Sequence, residues 1–269
     1  MSASAKPLTN LARANRALES DSVAIVHAND VDASSFAAFL GSFPLQGEQL
    51  YATLFERHTE LVQTQKLKVA VANLEKIFTT TFAISSVSGF DKMSLRDLSA
   101  KTGMSMGGIY SCISKKEDIA LMVADIVRLS SEMVRQHALK APTLWQQIEQ
   151  SIRFHLYAST LLQPWYFFLY FETRSLPEEQ QLQSKQIELD AIQNFKNQIE
   201  AGIESGEFRS QNSNMVANTL LVMLEDWYLK PWKYQSDGAG RYSIDKQQYN
   251  IDLYYKSLTS LLKELLSVR

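Results

Sequence analysis

Apolar residues recur at helical spacing from residue 66 onward. Leu67, Val71, Leu74, Phe78 and Phe82 fall on one face of a helix, because their intervals follow the period of about 3.6 residues per turn. The pattern therefore predicts a helix over residues 67–82 and an α-helical start to the most clearly patterned part of the chain.

Start and stop signals predict two short helices after this one. Ser94 is a suitable N-cap, and Asp97 stands three residues later as its capping-box partner. Gly103 can end that helix in a left-handed conformation, and Ser105 can cap the next short helix. A long periodic stretch then begins at Glu117. The order short helix, glycine turn, short helix, long helix is typical of a helix-turn-helix domain.

The remainder of the chain is also patterned as helices. One apolar-periodic stretch stops before Pro164, which suits the first turn of the following helix. Further helical stretches end near Gly206 and Pro231, and a last one closes the chain. Six prolines and ten glycines are few for 269 residues, which argues against a many-turned β fold. We predict an all-α protein, with an extra N-terminal helical segment before residue 66.

Charge is distributed unevenly along the chain. Apolar residues make up 45% and charged residues 21%, as in ordinary soluble proteins, and the net charge is only −2. Residues 66–128 nevertheless contain nine Lys and Arg against six Asp and Glu. A basic excess in the region of the short helices favours contact with nucleic acid there.

Several classes of site and location are disfavoured by composition. The single cysteine, Cys112, cannot form an internal disulfide, and it suggests a reducing compartment. His27, His58, His137 and His155 show no metal-ligand spacing. No apolar run reaches the length of a membrane span, and no secretory signal is evident. We therefore expect a cytoplasmic protein with no metal, no cofactor and no membrane partner.

The stretch from Gly103 to Gly107, GMSMG, fits two different motifs. It matches G-x-S-x-G, which presents a nucleophilic serine between a β-strand and a helix in many hydrolases. The preceding residues, SLRDLSAKTG, have helical spacing and a helix cap instead, which favours the helix-turn-helix and a protein that is not an enzyme. A serine hydrolase using Ser105 stays as an alternative, as does an all-helical protein-interaction module.

The segments SLRDLS, TGMSMGGIYSCI and SKKEDI resemble the tetracycline-repressor (TetR/AcrR-like) family of bacterial transcriptional regulators, over about residues 66–269. The resemblance implies a homodimer that binds a pseudo-palindromic operator in double-stranded DNA and a small hydrophobic effector. Departures occur at Met106, Gly108 and Ile113, where the family often has Lys, Thr and Phe. They remove two plausible DNA contacts.

The resemblance divides the chain into three parts. Residues 1–65 are an extension whose role is open between a cap on the DNA-binding domain, a dimer contact and a disordered arm. Residues 66–128 form a three-helix DNA-binding domain with its motif at 94–113, and residues 129–269 a larger helical domain for effector binding and dimerisation. The predicted function is a ligand-responsive regulator, a repressor that releases its operator when the effector binds.

Residue by residue, the resemblance and the local pattern nominate two sites. The candidate DNA-binding residues are Ser94, Arg96, Ser105, Met106, Gly107, Gly108, Tyr110, Lys115 and Lys116. A dense aromatic stretch after Pro164 and a second on a later helix suggest an apolar cavity with a few polar groups. The candidate ligand-binding residues are His155, Trp165, Phe168, Phe171, Arg174 and Trp227.

Overall fold

The computed structural model describes residues 31–64, 66–234 and 244–266, and within these ranges it contains eleven α-helices and no β-strand. The helices are α1 Phe36–Ser42, α2 Gly47–Arg57, α3 Leu67–Ser88, α4 Leu95–Thr102, α5 Met106–Tyr110, α6 Glu117–Ala138, α7 Leu144–Leu161, α8 Gln163–Phe171, α9 Glu178–Glu204, α10 Ser213–Leu229 and α11 Ile244–Leu266. The all-α prediction is confirmed. None of the described helices is long and apolar enough to cross a lipid bilayer.

The predicted local signals of the short helices are present. The Ser94 hydroxyl accepts a hydrogen bond from the Asp97 amide at 3.1 Å, and the Asp97 carboxylate accepts one from the Ser94 amide at 2.9 Å. Gly103 follows α4 with φ of 70°, and the Ser105 hydroxyl accepts from the Gly108 amide at 3.1 Å. These contacts satisfy the free amides at the starts of α4 and α5.

Helix α3 is longer than the sequence predicts. It continues past Phe82 to Ser88 because Ile84 and Ser85 extend its buried face. Gly89 then ends it with φ of 85°, a conformation that strains any residue with a Cβ atom.

The larger C-terminal part is built around α6 and α7, which pack along each other, and around the pair α9 and α10. Pro164 lies in the first turn of α8, as predicted. Helix α9 ends at Glu204, and Gly206 has φ of 76° immediately after it. Pro231 follows the end of α10 and begins a single 3₁₀ turn.

The part of the N-terminal extension that is described belongs to the core. The Phe39 ring on α1 lies 4.9 Å from the Phe154 ring on α7, centroid to centroid. On α2, the Tyr51 ring lies 6.4 Å from Phe78 of α3 and 6.3 Å from Trp165 of α8. Residues 31–64 therefore contact both larger parts of the molecule, and the disordered-arm alternative does not apply to them. Residues 1–30 lie outside the described ranges.

An ion cluster joins α2 to α6. The Arg57 guanidinium donates two hydrogen bonds to the Asp125 carboxylate, at 2.6 and 2.7 Å, and the His58 ring nitrogen lies 3.1 Å from the same carboxylate. Burial alone would raise the pKa of Asp125, but the hydrogen bonds and charges of Arg57 and His58 outweigh it and hold that pKa well below its usual range. The extension is thus bound to α6 by a charged contact as well as by rings.

Candidate DNA-binding motif and effector cavity

The helix-turn-helix is fixed from inside by apolar side chains. Leu98 of α4 and Ile109 of α5 are fully buried, as are Cys112 and Ile113 directly after α5. Helix α5 therefore has one face in the core and the opposite face in solvent, where Tyr110 is 47% exposed. This is the arrangement that a recognition helix needs in order to enter the major groove.

The nine predicted DNA-binding residues all retain solvent access. The exposed ones are Ser94, Arg96, Ser105, Gly107, Tyr110 and Lys115, and the half-buried ones are Met106, Gly108 and Lys116. The two caps, Ser94 and Ser105, use their hydroxyls within the protein. Their assignment as DNA contacts therefore stays a prediction, and the structure gives each of them a local role as well.

The local structure at Ser105 does not match a nucleophile elbow. The residues before the turn form helix α4 where the elbow requires a β-strand, and the Ser105 hydroxyl caps α5. Ser105 is the N-cap of α5, and this capping role explains why a serine stands in the G-x-S-x-G match.

Lys116 makes contacts that its sequence position does not indicate. Its ammonium group donates to the main-chain carbonyls of Phe90, Asp91 and Met93 at 3.3, 2.7 and 3.3 Å. It also lies 5.3 Å from the centre of the Phe90 ring. An ammonium has three N–H donors, and three carbonyls here accept from it. Lys116 therefore holds the turn between α3 and α4 against the start of α6.

Helix α5 is also held by the N-terminal extension. The amides of Gln63 and Thr64 donate to the carbonyl of Ser111, at 2.9 and 3.3 Å. The Thr64 hydroxyl donates to the Ser111 hydroxyl at 3.0 Å. Ser111 is the C-cap of α5, so the extension positions the end of this helix. No local signal in the sequence indicates this contact, because its partners lie 47 residues apart.

A cavity of about 420 Å³ lies among helices α6 to α10. Its size is within the range of small-molecule sites in proteins. Three of the predicted ligand-binding residues line it, namely His155, Phe171 and Arg174. The wall also includes Tyr166 and Tyr228, whose ring centroids lie 5.2 Å apart.

The other three predicted ligand-binding residues lie elsewhere, because their rings are occupied in packing. Trp165 stacks on Phe78 at 4.8 Å, and Phe168 packs edge-on against Phe90 at 4.9 Å; the two contacts join α8 to α3 and to the turn after α3. The indole N–H of Trp227 donates to the Thr160 hydroxyl at 2.8 Å. The six predicted residues therefore comprise three cavity residues, two residues that pack α8 against α3 and the turn after it, and Trp227, which packs within the C-terminal part.

Two polar groups within the cavity wall are deeply buried. His155 is 7% exposed, and burial lowers the pKa of its imidazole to about 4, so the ring is neutral at neutral pH. Glu225 on α10 is 8% exposed, and burial together with the charge of Glu188 raises the pKa of its carboxyl to about 7. Glu225 is not among the residues predicted from the sequence, although two adjacent carboxylates, Glu225 and Asp226, among the apolar residues of α10 are a usable signal.

The end of α8 connects the cavity wall to the motif. Phe171, Thr173 and Arg174 line the cavity, while Glu172 between them accepts a hydrogen bond from the Phe90 amide at 2.7 Å. Phe90 belongs to the turn that Lys116 holds. A displacement of this wall segment therefore acts directly on the turn before α4.

Comparison with protein families assigns the C-terminal part. Residues 141–240 match the family described as tetracyclin repressor-like, C-terminal domain. Over these residues the chain is similar to the C-terminal domain of tetracyclin repressors. The match spans α7 to α10, which supply most of the cavity wall.

Several solved structures share the fold of this chain. The MbdR regulator from Azoarcus sp. CIB has a TM-score of 0.56 at 18% identity, over 71% of this chain and 96% of its own. FadR from Bacillus subtilis, solved in complex with stearoyl-CoA, has a TM-score of 0.53 at 15% identity, over 70% and 97%. The TetR family regulator PfmR from Thermus thermophilus has a TM-score of 0.52 at 20% identity, over 67% and 97%. No curated protein sequence matches the chain.

Proposed function

We propose that the protein is a transcriptional regulator that binds operator DNA as a homodimer and releases it when a small molecule with an apolar body occupies the cavity. The observation that carries the proposal is the helix-turn-helix itself: a capped α4, a left-handed turn at Gly103 and an exposed face on α5. The fold shared with MbdR, FadR and PfmR, which are regulators, supports it.

The DNA-facing side chains have distinct roles in this proposal. Arg96 and Lys115 are exposed cations that supply phosphate contacts, and Tyr110 donates its hydroxyl from the middle of the motif. Gly107 and Gly108 let the backbone of α5 approach the groove closely. Lys116 acts as a positioning residue, since its ammonium is held by the carbonyls of the α3–α4 turn.

Dimerisation follows from the shortness of the recognition helix and from an apolar surface. Helix α5 has five residues, so a single copy contacts few base pairs, and two copies on a pseudo-palindrome bring affinity into the specific range. Helices α10 and α11 expose large apolar side chains that a second copy would cover. These are Met215, Val222, Leu253, Leu261 and Leu265.

Release of DNA follows from the contact between cavity and motif. The dimer without effector holds its two recognition helices at a spacing that fits successive grooves. An effector that prefers a different position of the Phe171–Arg174 segment moves Glu172, and with it the turn at Phe90. The population then shifts away from the DNA-binding arrangement. FadR holds stearoyl-CoA, which supports an effector with a long apolar part.

Selection of bound duplexes from a random pool, followed by gel shift, tests the proposal. We expect a palindromic site whose affinity falls steeply with salt. Arg96→Gln should weaken binding about tenfold and reduce the salt slope by about one, because one phosphate contact is lost. Lys196→Gln on α9 removes the same charge away from the motif and serves as the control.

Two results would contradict the proposal. One is a purified protein that enriches no sequence and retards no duplex. The other is equal weakening by the Arg96 and Lys196 variants, which would place the contact surface away from the motif. Ser105→Ala tests the hydrolase alternative. A hydrolase that uses Ser105 would lose its activity, whereas a DNA-binding protein would lose only a helix cap worth about 1 kcal/mol of stability and would stay folded.

A further inference from the structure

The inner part of the cavity has an unpaired carboxylate. Glu225 is 8% exposed and lines the wall beside Tyr228, with which it shares helix α10. Burial, and then the negative charge of Glu188, raise the pKa of the Glu225 carboxyl. No cation among the described residues lowers it again. A carboxylate that is taken out of water and left without a counter-ion is unfavourable in the empty protein.

Carboxylates and tyrosines line the cavity around Glu225. The pKa of the Tyr228 hydroxyl is raised well above its usual value by burial and then by Glu225, Tyr166, Glu188 and Tyr170. These groups come from α8, α9 and α10. Among these groups the carboxylates of Glu225 and Glu188 supply negative charge and the tyrosines supply aromatic rings, so this end of the cavity favours a cation over an anion.

The cationic residues of the wall are placed differently. Arg174 and Lys185 line the cavity but are solvent-exposed. Neither contributes to the pKa shift of Glu225 or of Tyr228. Arg174, Lys185 and Glu188 all lie at the solvent-exposed edge of the cavity, where water screens their charges, and Glu225 is the buried charged group of the wall.

A second buried group in the same wall lacks a partner. The Nε2 atom of His155 is buried and has no hydrogen-bond partner among the described residues, and its ring packs edge-on against Tyr166 at 5.7 Å. The neutral imidazole can accept a hydrogen bond at this nitrogen. A buried polar atom without a partner in a cavity wall indicates a ligand atom that would complete it.

We propose that the effector is a hydrophobic organic cation, an amine with an apolar body, whose ammonium lies beside Glu225 and Glu188 and against the rings of Tyr166 and Tyr228. Carboxylates and aromatic faces together are the groups that recognise organic ammonium ions. The apolar body lies along Leu169 and Leu221. This inference rests on the proposed function, and it narrows the effector to a charge class.

The charge distinguishes this effector from an acyl-CoA. A coenzyme A thioester is strongly anionic, and its phosphates would have to be held by Arg174 and Lys185 at the mouth. Such a ligand leaves Glu225 buried and unpaired, whereas an amine neutralises it. The two classes therefore predict opposite effects of removing the Glu225 charge.

Calorimetric titration of the full-length protein with octylamine, octan-1-ol and octanoate separates the classes, because the three probes share one alkyl body. At about pH 8 the amine is still protonated and Glu225 is mostly ionised. We expect octylamine to bind tightest and octanoate weakest. Glu225→Gln should weaken octylamine binding roughly tenfold while changing octanol binding less than about twofold. Glu204→Gln, on the exposed end of α9, is the matched control.

Each outcome decides the inference. Octanoate or stearoyl-CoA binding more tightly than octylamine overturns it, as does octylamine binding that Glu225→Gln leaves unchanged, or no binding by any of the three alkyl probes. A Lys185→Gln variant that strengthens octylamine and weakens stearoyl-CoA supports it. Circular dichroism of each variant checks that it is folded.

The same probes in a gel shift separate this inference from the proposed function. If the protein retards its selected duplex and stearoyl-CoA or octanol releases it while octylamine does not, the cation assignment fails and the regulator stands. If no duplex is retarded, the regulator proposal fails, and calorimetry still determines which charge the cavity accepts.

Discussion

The ion cluster between α2 and α6 gives a sharp test of how the N-terminal extension is held. Asp125→Asn keeps the size of the side chain and removes its charge. Arg57 donates hydrogen bonds of 2.6 and 2.7 Å to the two carboxylate oxygens and would lose one of these acceptors to an amide NH2 group, and His58 would lose its charged partner at 3.1 Å. The perturbation therefore acts on one contact that joins the extension to the helix leading out of the motif.

The burial of the partners sets the magnitude. Breaking a fully buried ion pair from one side costs about 3–5 kcal/mol. The Asp125 side chain is 11% exposed, but that of Arg57 is 33% exposed, so water recovers part of its hydration after the change. We expect the free energy of unfolding to fall by about 2–3 kcal/mol at neutral pH.

Urea unfolding, followed by circular dichroism, measures this difference. Glu132→Gln is the control, because Glu132 also forms an ion pair with an arginine, Arg135, but the two side chains are 47% and 43% exposed. We expect that control to lose less than about 1 kcal/mol. If Asp125→Asn costs no more than Glu132→Gln, the cluster does not hold the extension and the reasoning is refuted.

The pH dependence of the same difference has a definite sign. The native pKa of Asp125 is lowered, so its contribution is fully present above the unfolded pKa of about 4 and is lost as the pH falls through the native value. The gap between wild type and Asp125→Asn should be constant from about pH 7 to 5 and shrink below about pH 4. A gap that grows on acidification would contradict the assignment.

Three further variants test other contacts. Gly202→Ala would place a Cβ atom 2.1 Å from the buried Phe208 ring, so we expect the free energy of unfolding in urea to fall by about 2–3 kcal/mol. The control is Gly41→Ala on α1, where a Cβ meets nothing within 4 Å, and an equal loss of stability in both variants would contradict the contact. Gly103→Ala also meets nothing within 4 Å, but φ of 70° should cost about 1–2 kcal/mol, and a neutral result would refute a left-handed turn. Glu172→Ala removes the acceptor of the Phe90 amide; in gel shifts we expect retained DNA binding and a roughly fivefold higher effector concentration for release, and unchanged release would exclude this route.

The sequence predicts those features that depend on neighbouring residues. The capping box at Ser94, the left-handed Gly103, the first-turn Pro164 and the start of α6 at Glu117 all lie where expected. Each of them is decided by hydrogen bonds or sterics within a few residues. A local pattern is sufficient for such features.

The division of rings on α8 is not decided locally. The helix is apolar on all sides, and its position between α3 and the cavity determines which rings serve which side. Trp165 and Phe168, three residues apart, face α3 and the turn after it, whereas Tyr166, Leu169 and Tyr170 face the cavity. The tyrosines of α8 carry a polar hydroxyl and lie on the cavity side, so the difference between tyrosine and the wholly apolar rings is the sequence signal for that side.

The partners of the N-terminal extension could not be predicted. Phe36 and Phe39 indicate an apolar face on α1, but nothing near them names Phe154 and Tyr157 as the rings they meet. Contacts between distant parts of a chain depend on the whole arrangement of helices. The sequence alone therefore does not predict which helices residues 31–64 contact.

The contacts of α1 have a consequence for biosynthesis. The ribosome makes this helix early, yet α7 emerges much later, and α11, which also packs on α1, is the last of the described helices to appear. The apolar face of α1 therefore stays exposed until these later helices have been synthesised, and exposed apolar surface makes nascent chains prone to aggregate. Helix α1 can complete its packing only after α11 has been made. A prematurely terminated chain would therefore keep the apolar face of α1 exposed.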